Sequence, residues 1–303
     1  MRFALEVWGA DLPTLVDTCR QAESLGFDAF YYGESPNGLN LDCWTVLTVL
    51  AQETDRIELG PVIANILPTY RSTVLLARQV ATVAIVADGR LAFRTGAGAA
   101  RHFGRDWWVP YGVDYPSYEA RRADADHALG LLRPLWAGEA VPLGPIEEGP
   151  VRLGFDCPPI LITVSATGPR GMALAATYGD VWESSFRTPA EFEELAEQFH
   201  RIAALLPSDD QRPPPVRSLE IDAAVGTDAV AAAARLATFR RDRAGEDVDA
   251  LLPRALIGTP QRVAEQIEAL AAAGVDQLVI ALHDPHDHDA LEALAWARRL
   301  VES

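Results

Sequence analysis

The chain has 303 residues, with 26 basic against 43 acidic side chains and a formal net charge of −17. Neither a nucleic-acid backbone nor an anionic membrane surface is an expected partner of so acidic a chain. At 49% hydrophobic and 23% charged residues, it suits a folded protein with a large core, either two ordinary domains or one barrel-sized one. The opening run reads as a strand rather than a signal peptide, and no apolar run reaches membrane-spanning length. Cys19, Cys43 and Cys157 are odd in number and lack metal-ligand spacing, so unpaired thiols in a reducing cytoplasm are expected.

Taken in chain order, Arg2 to Trp8 reads as a buried strand, and Leu12, Leu15, Val16, Cys19, Ala22 and Leu25 recur at helical spacing until Gly26. Further strands are read at Asp28 to Glu34, Ile57 to Asn65 and Arg90 to Gly96, separated by helices around Trp44 to Leu50 and Val74 to Val86. The strands recur about every thirty residues, the size of one βα unit. The rhythm breaks at Ala99 to Pro116, which reads as a long aromatic loop. A helix from Tyr118 to Trp136 and a second irregular span follow.

Alternation resumes with Ile160 to Ser165, a helix from Pro169, and Asp180 to Ser185. Thr188 to Glu191 is a capping box, and "PSDDQRPPP" a surface loop. A strand at "RSLEIDAAV", an alanine-rich helix, a helix capped by Thr259 and Pro260, and a last strand from Asp276 to Leu282 complete the chain. A doubly wound sheet is the alternative, but eight such units without a composition break favour one (β/α)8 TIM barrel. It would be a single domain spanning residues 1–303, with insertions after strand four and before strand five. "HDPHDH" (His283 to His288) reads as a metal tract or a solvated turn; the turn is preferred, and no metal is expected.

Chemistry in such a barrel sits at the carboxyl ends of its strands. "VSATGPRGM" (Val164 to Met172) ends a strand in small hydroxylic residues and opens a helix at Gly168-Pro169. Amides at a helix start, reinforced by its dipole, form an anion site. Ala166 to Gly168 would supply the amides, Ser165 and Thr167 hydroxyls, and Arg170 a charge. In "RTGAGAARHFGRDWW" the spacing of Gly96 and Gly98 lacks the third glycine of a dinucleotide fingerprint, since Arg101 stands there. Trp107 and Trp108 read either as core or as a pocket wall.

The ordered motifs "AESLGFDAFYYGES", "LDCWTVLTVLAQETDRIELGPVI", "ATVAIVADGRLAFRTGAGA", "LWAGE", "PPILITVSATGPRGMALAATYGDVW" and "IGTPQRVAEQIEALAAAGVDQLVI" resemble the luciferase-like monooxygenase superfamily. These are flavin- or deazaflavin-dependent barrels. The resemblance implies a cofactor phosphate at Val164, Ser165, Ala166, Thr167, Gly168 and Arg170, with Gly96, Ala97, Gly98 and Ala99 beside it. It also implies a non-proline cis peptide at Val62–Ile63, bulging against the ring. The family's catalytic histidine after strand two corresponds to Ser35, and its strand-four arginine to Ala97, leaving Arg101 or Arg170 as substitutes. The histidine, tryptophan and glutamate of the deazaflavin sugar dehydrogenases correspond to Ser35, Leu39 and Ala99.

Three functions stay open on these residues. The leading one is oxygenation of a small organic substrate by reduced FMN and oxygen, with Ser35, Asn65 and His102 near the oxygen adduct and Glu34 orienting them. A separate flavin reductase is then an expected partner. The second is hydride exchange with a deazaflavin of the coenzyme F420 type, with His102 or Glu34 as proton donor; the third is a flavin-binding relative without activity. The helices at Trp44 to Leu50 and Val74 to Val86 are apolar on more than one face, and family members pair there, so a homodimer is expected.

Overall fold

Short strands that are apolar on both faces need helices over one face and a filled interior behind the other. The computed structural model describes residues 1–36, 41–142, 149–206 and 213–302, with Phe103 described through its backbone alone. Its first half runs β1 (Arg2–Val7), α1 (Leu12–Leu25), β2 (Ala29–Gly33), α2 (Cys43–Glu53), β3 (Glu58–Val62), α3 (Thr73–Val86), β4 (Ala92–Gly96), α4 (Arg101–Trp108) and α5 (Tyr118–Trp136). The second half runs β5 (Leu161–Ser165), α6 (Pro169–Tyr178), β6 (Val181–Ser185), α7 (Pro189–Ala203), β7 (Val216–Val225), α8 (Ala229–Asp242), α9 (Val248–Leu251), β8 (Ala255–Gly258), α10 (Pro260–Ala272), β9 (Gln277–Leu282) and α11 (His288–Val301).

The strands are parallel in the order β3-β2-β1-β9-β7-β6-β5-β4. Bridges between Leu59 and Leu91 and between Ala64 and Thr95 join β3 to β4 and nearly close the ring. This is the expected (β/α)8 barrel. One strand was not read in the sequence: β8 pairs only with the end of β7, from Asp222 to Val225. Its four residues, "ALIG", are too few to show a period. None of the helices described is long and apolar enough to cross a membrane.

The second departure is the segment after β4. Residues expected as irregular form α4, because its aromatic and charged positions divide between two sides. Gly104 and Trp108 are buried while Arg101, Arg105 and Trp107 are exposed. The insertion before β5 carries an antiparallel bridge between Val141 and Val151, and its residues 143–148 lie outside those described. The expected loop at "PSDDQRPPP" falls largely outside them too. The capping box forms as read, with the Thr188 hydroxyl accepting from the Glu191 amide at 3.3 Å and Glu191 accepting from the Thr188 amide at 2.9 Å. The Val62–Ile63 peptide is cis.

Outward-facing Phe3, Leu5, Phe30, Phe93, Val164 and Trp182 join the large core under the helices. Inward-facing Ala4, Ala29, Ala92 and Val279 are small, and this leaves room for charge inside the barrel. Arg94 and Glu183, both fully buried, meet at 2.6 Å. The Tyr31 ring lies 4.2 Å from the guanidinium, and Ser218 donates to the second Glu183 oxygen at 2.9 Å. Removing one partner of such a pair strands the other charge away from water. Arg94→Met should therefore cost about 3–5 kcal/mol of unfolding free energy, measured by urea denaturation. A loss below about 1 kcal/mol would mean that water reaches Glu183.

Candidate active site

A cavity of about 840 Å³ opens at the carboxyl ends of the strands. It gathers most of the residues singled out in the sequence. Glu34, Val62, Ile63, Asn65, Gly96 to Ala99, Ser165 to Gly168 and Arg170 all line it. Three do not. Val164 faces outward into the core beneath the helices, because alternate strand residues point to opposite faces. Ser35, half-buried, and His102, exposed on α4, lie outside the lining. Leu39 is outside the described residues. Trp107 and Trp108 both line the cavity, which makes them wall; Trp108 also packs edge-on against Tyr70 at 4.9 Å.

Glu34 ends β2, but its oxygens are committed. One accepts from Trp44 Nε1 at 2.7 Å and contacts Arg71; the other accepts from the Asn65 amide at 2.6 Å. Burial raises its pKa and Arg71 opposes the rise. Asn65 in turn accepts from the Leu67 amide at 2.9 Å. These bonds fold the loop after β3, so Glu34 and Asn65 shape the rim.

The helix start read as an anion site forms, with one change in its donors. Gly168 caps α6 and Pro169 occupies its first turn. The Ala166 amide, however, is taken by the Glu183 carbonyl at 2.8 Å in the sheet. The donors at the helix start are therefore Thr167, Gly168, Arg170 and Gly171, whose amides have no intrahelical partner by geometry. Arg170 is exposed and paired with Glu119. A third cation appears that was not read in the sequence. Arg121 on α5 is 1% exposed, lines the cavity, and donates to the carbonyls of Ala97 at 2.9 Å, Ala99 at 2.8 Å and Pro116 at 2.6 Å. It stacks on Tyr115 at 4.1 Å. Gly98, at φ +80°, is required beneath it, since a Cβ there would stand 2.6 Å from the Tyr115 hydroxyl.

The lining also includes Glu6 and Trp8 from the end of β1 and Glu220 from β7. Glu6 is 4% exposed. Trp8 Nε1 donates to its Oε1 at 2.5 Å, and its Oε2 has no hydrogen-bond partner. Burial lifts its pKa to about 7, with Arg94 and Trp8 opposing and Glu183 and Asp222 adding to the rise. Glu220, which accepts from Ser185 at 2.8 Å, is held well above the ordinary carboxyl range by burial, Glu6 and Glu183. A titratable acid thus sits at the cavity floor. The signal for it is charge inside otherwise apolar strands, one residue each in "FALEV", "LAFRTG" and "VWESS" and two in "SLEID".

"HDPHDH" follows β9, where His283 meets Asp222 at 2.9 Å and His288 meets Asp17 at 3.5 Å. Among the described residues no cluster could hold a metal ion.

The family model described as luciferase-like monooxygenase matches residues 4–277. The chain is 32% identical over 178 residues to a 5,10-methylenetetrahydromethanopterin reductase of Archaeoglobus fulgidus, covering 58% of this chain and 50% of that protein. It is 29% identical over 174 residues to an F420-dependent glucose-6-phosphate dehydrogenase of Beutenbergia cavernae, covering 52% and 48%. The chain therefore spans about half the length of these curated relatives. A solved F420-dependent secondary alcohol dehydrogenase, bound to an F420-acetone adduct, superposes with a TM-score of 0.82 at 16% identity, covering 100% of this chain and 99% of that one. Monooxygenases share the fold as well.

The floor has a consequence for stability. Glu6 rises from an ordinary 4.5 to about 7 on folding, so the folded chain keeps a proton that the unfolded chain releases. That contribution is full below pH 4.5 and is lost as pH rises through about 7. Urea midpoints should therefore fall between pH 5 and pH 8, and fall less in Glu6→Gln. Equal declines in the two proteins would remove Glu6 as a titrating group.

Proposed function

Because the chain belongs to the luciferase-like monooxygenase family, we propose that it is a cytoplasmic oxidoreductase using a deazaflavin of the coenzyme F420 type. It exchanges hydride with a small organic substrate, and Glu6 is its acid-base group. The observation that carries this reading is Glu6 itself, a buried carboxyl near pKa 7 that belongs to the cavity lining and keeps one oxygen without a hydrogen-bond partner. An acid poised near the working pH is suited to give a proton when a substrate heteroatom gains charge and to take it back in reverse. The F420-dependent names among the relatives support the cofactor.

The residues present fit such a group. The chemistry a deazaflavin supplies when bound is two-electron hydride exchange. Thr167, Gly168 and the start of α6 would hold its phosphate, with Arg121, Arg101 and Arg170 as nearby cations. Gly96 and Gly98 let Ser165 and Tyr115 pack directly against the end of β4, and the Val62–Ile63 backbone lines the same cavity. Glu6 holds the proton at Oε2, while Trp8 fixes Oε1 and so orients the carboxyl. The aromatic wall of Trp107, Trp108 and Tyr115 keeps water from the reacting atoms. Of the groups expected beside oxygen, Asn65 lines the cavity, while Ser35 and His102 lie outside the lining, and oxygenation by reduced FMN has less support for it. The separate flavin reductase belongs to that reading alone.

Equilibrium titration should show the deazaflavin binding at least tenfold more tightly than FMN. Glu6→Gln should lower kcat by about 10²–10⁴-fold and leave the deazaflavin Kd unchanged. Tighter binding of FMN with oxygen-dependent turnover would overturn the assignment. The reading includes a homodimer through α2 and α3, supported by Leu75 and Ile85, 63% and 48% exposed on α3. Light scattering at micromolar concentration should give twice the chain mass, and a monomer would contradict it.

A further inference from the structure

Trp8 lies at the cavity mouth in a position that two independent contacts fix. Its indole N–H is held by Glu6 at 2.5 Å. Its ring also lies directly over the end of β2, where a Cβ on Gly33 would stand 2.2–2.6 Å from three ring atoms. Only glycine at position 33 lets the indole lie there. The residue is nevertheless 37% exposed and lines the cavity. A large aromatic face is thus locked in place while part of it stays open.

Charge divides the cavity. The cations Arg101, Arg121 and Arg170 gather where α4, α5 and the start of α6 meet it. The acids Glu6 and Glu220 stand at the β1 and β7 side. Other charges near this floor have ion-pair partners: Arg94 contacts Glu183 through one nitrogen, and Asp222 meets Arg243 at 2.7 Å and His283 at 2.9 Å. Among the described residues neither Glu6 nor Glu220 is in a salt bridge. Above about pH 7, where Glu6 gives up its proton, an anion placed beside Trp8 would meet a carboxylate, whereas a neutral or cationic group would not be repelled.

We propose that Trp8 is the substrate platform and that the substrate is a flat, unsaturated compound, neutral or cationic, seated on the indole with its polar edge toward the Glu6 carboxyl. This rests on reading the cavity as a shared cofactor and substrate site. It separates this chain from enzymes that take phosphorylated sugars, because a phosphate at this end would face the acids. Stacking on an aromatic face supplies the affinity, and the Glu6 carboxyl supplies the orientation.

The test uses three flat probes of one shape and different charge: 2-naphthamidine, 2-naphthamide and 2-naphthoate. Each is titrated calorimetrically at pH 8, where Glu6 is ionised, into the full chain without cofactor, in phosphate buffer to supply the cationic end. The amidine and the amide should bind at least tenfold more tightly than the carboxylate. Trp8→Ala should weaken both by fivefold or more, and Trp8→Phe should restore most of the loss. Gly33→Ala should weaken them similarly while keeping the indole, because the new Cβ displaces the ring. Glu6→Gln should abolish the advantage of the amidine over the amide. Naphthoate binding as tightly as the amide, or an amide affinity unchanged in Trp8→Ala, would overturn the proposal. No deazaflavin takes part, so these outcomes are independent of the cofactor titration that tests the proposed function.

Discussion

A guanidinium shut away from water inside the barrel, that of Arg94, is the constraint around which the floor of the cavity is arranged. Its desolvation would be prohibitive without a close carboxylate and further polar contacts. Glu183 supplies the first, and the face of Tyr31 adds to it. Once Arg94 is committed to Glu183, the remaining acids of β1 and β7 share its field without touching it. Burial then dominates their titration, and both are pushed toward the protonated form. The poised acid at the floor is thus a by-product of how one buried cation, bonded to Glu183 through a single nitrogen, is held.

The rim follows the same principle at the level of backbone. Long connections after β3 and β4 leave carbonyls and amides without sheet partners, and such groups need partners when buried. Glu34 accepts from the Asn65 amide on one side, and Arg121 donates to the carbonyls of Ala97, Ala99 and Pro116 on the other. Two side chains of opposite charge therefore tie down the loops that line the cavity. Glu34 spends its oxygens on this work, which is why it shapes the site without being free to exchange a proton there.

Much of the fold was legible because strand and helix periods survive in the sequence wherever one face is covered. The α5 boundaries, Tyr118 and Trp136, were read directly from helical spacing. α4 was hidden by its glycine, its adjacent tryptophans and the irregular sequence around it, and β8 by its length. The glycines of β4 and the helix start at Pro169 could be located because their backbone demands are written in residue type. Glu6 could not be found by motif. A charge in an apolar strand reads as solvent-facing until the ring closes and turns it inward. Val164, implied by the family resemblance, packs in the core beneath the helices, because alternate residues of β5 face opposite sides of the strand.

The departures at Ser35, Ala97 and Ala99 acquire a meaning in this light. A barrel offers the same cavity to every strand end, so an acid is not obliged to stand after strand two or strand four. In this chain the side chain with the right chemistry comes from β1, two residues before the tryptophan that orients it. The partner that keeps the tryptophan in place is an absence, the missing Cβ of Gly33 on the neighbouring strand. Because β1 and β2 are paired in register from Ala4–Ala29 to Val7–Tyr32, one short parallel ladder brings Glu6, Trp8 and Gly33 together. That ladder fixes the carboxyl that would move a proton and the ring that would seat the substrate as a single unit. A change to either alters the other, and specificity and acid-base chemistry are coupled through one hydrogen bond.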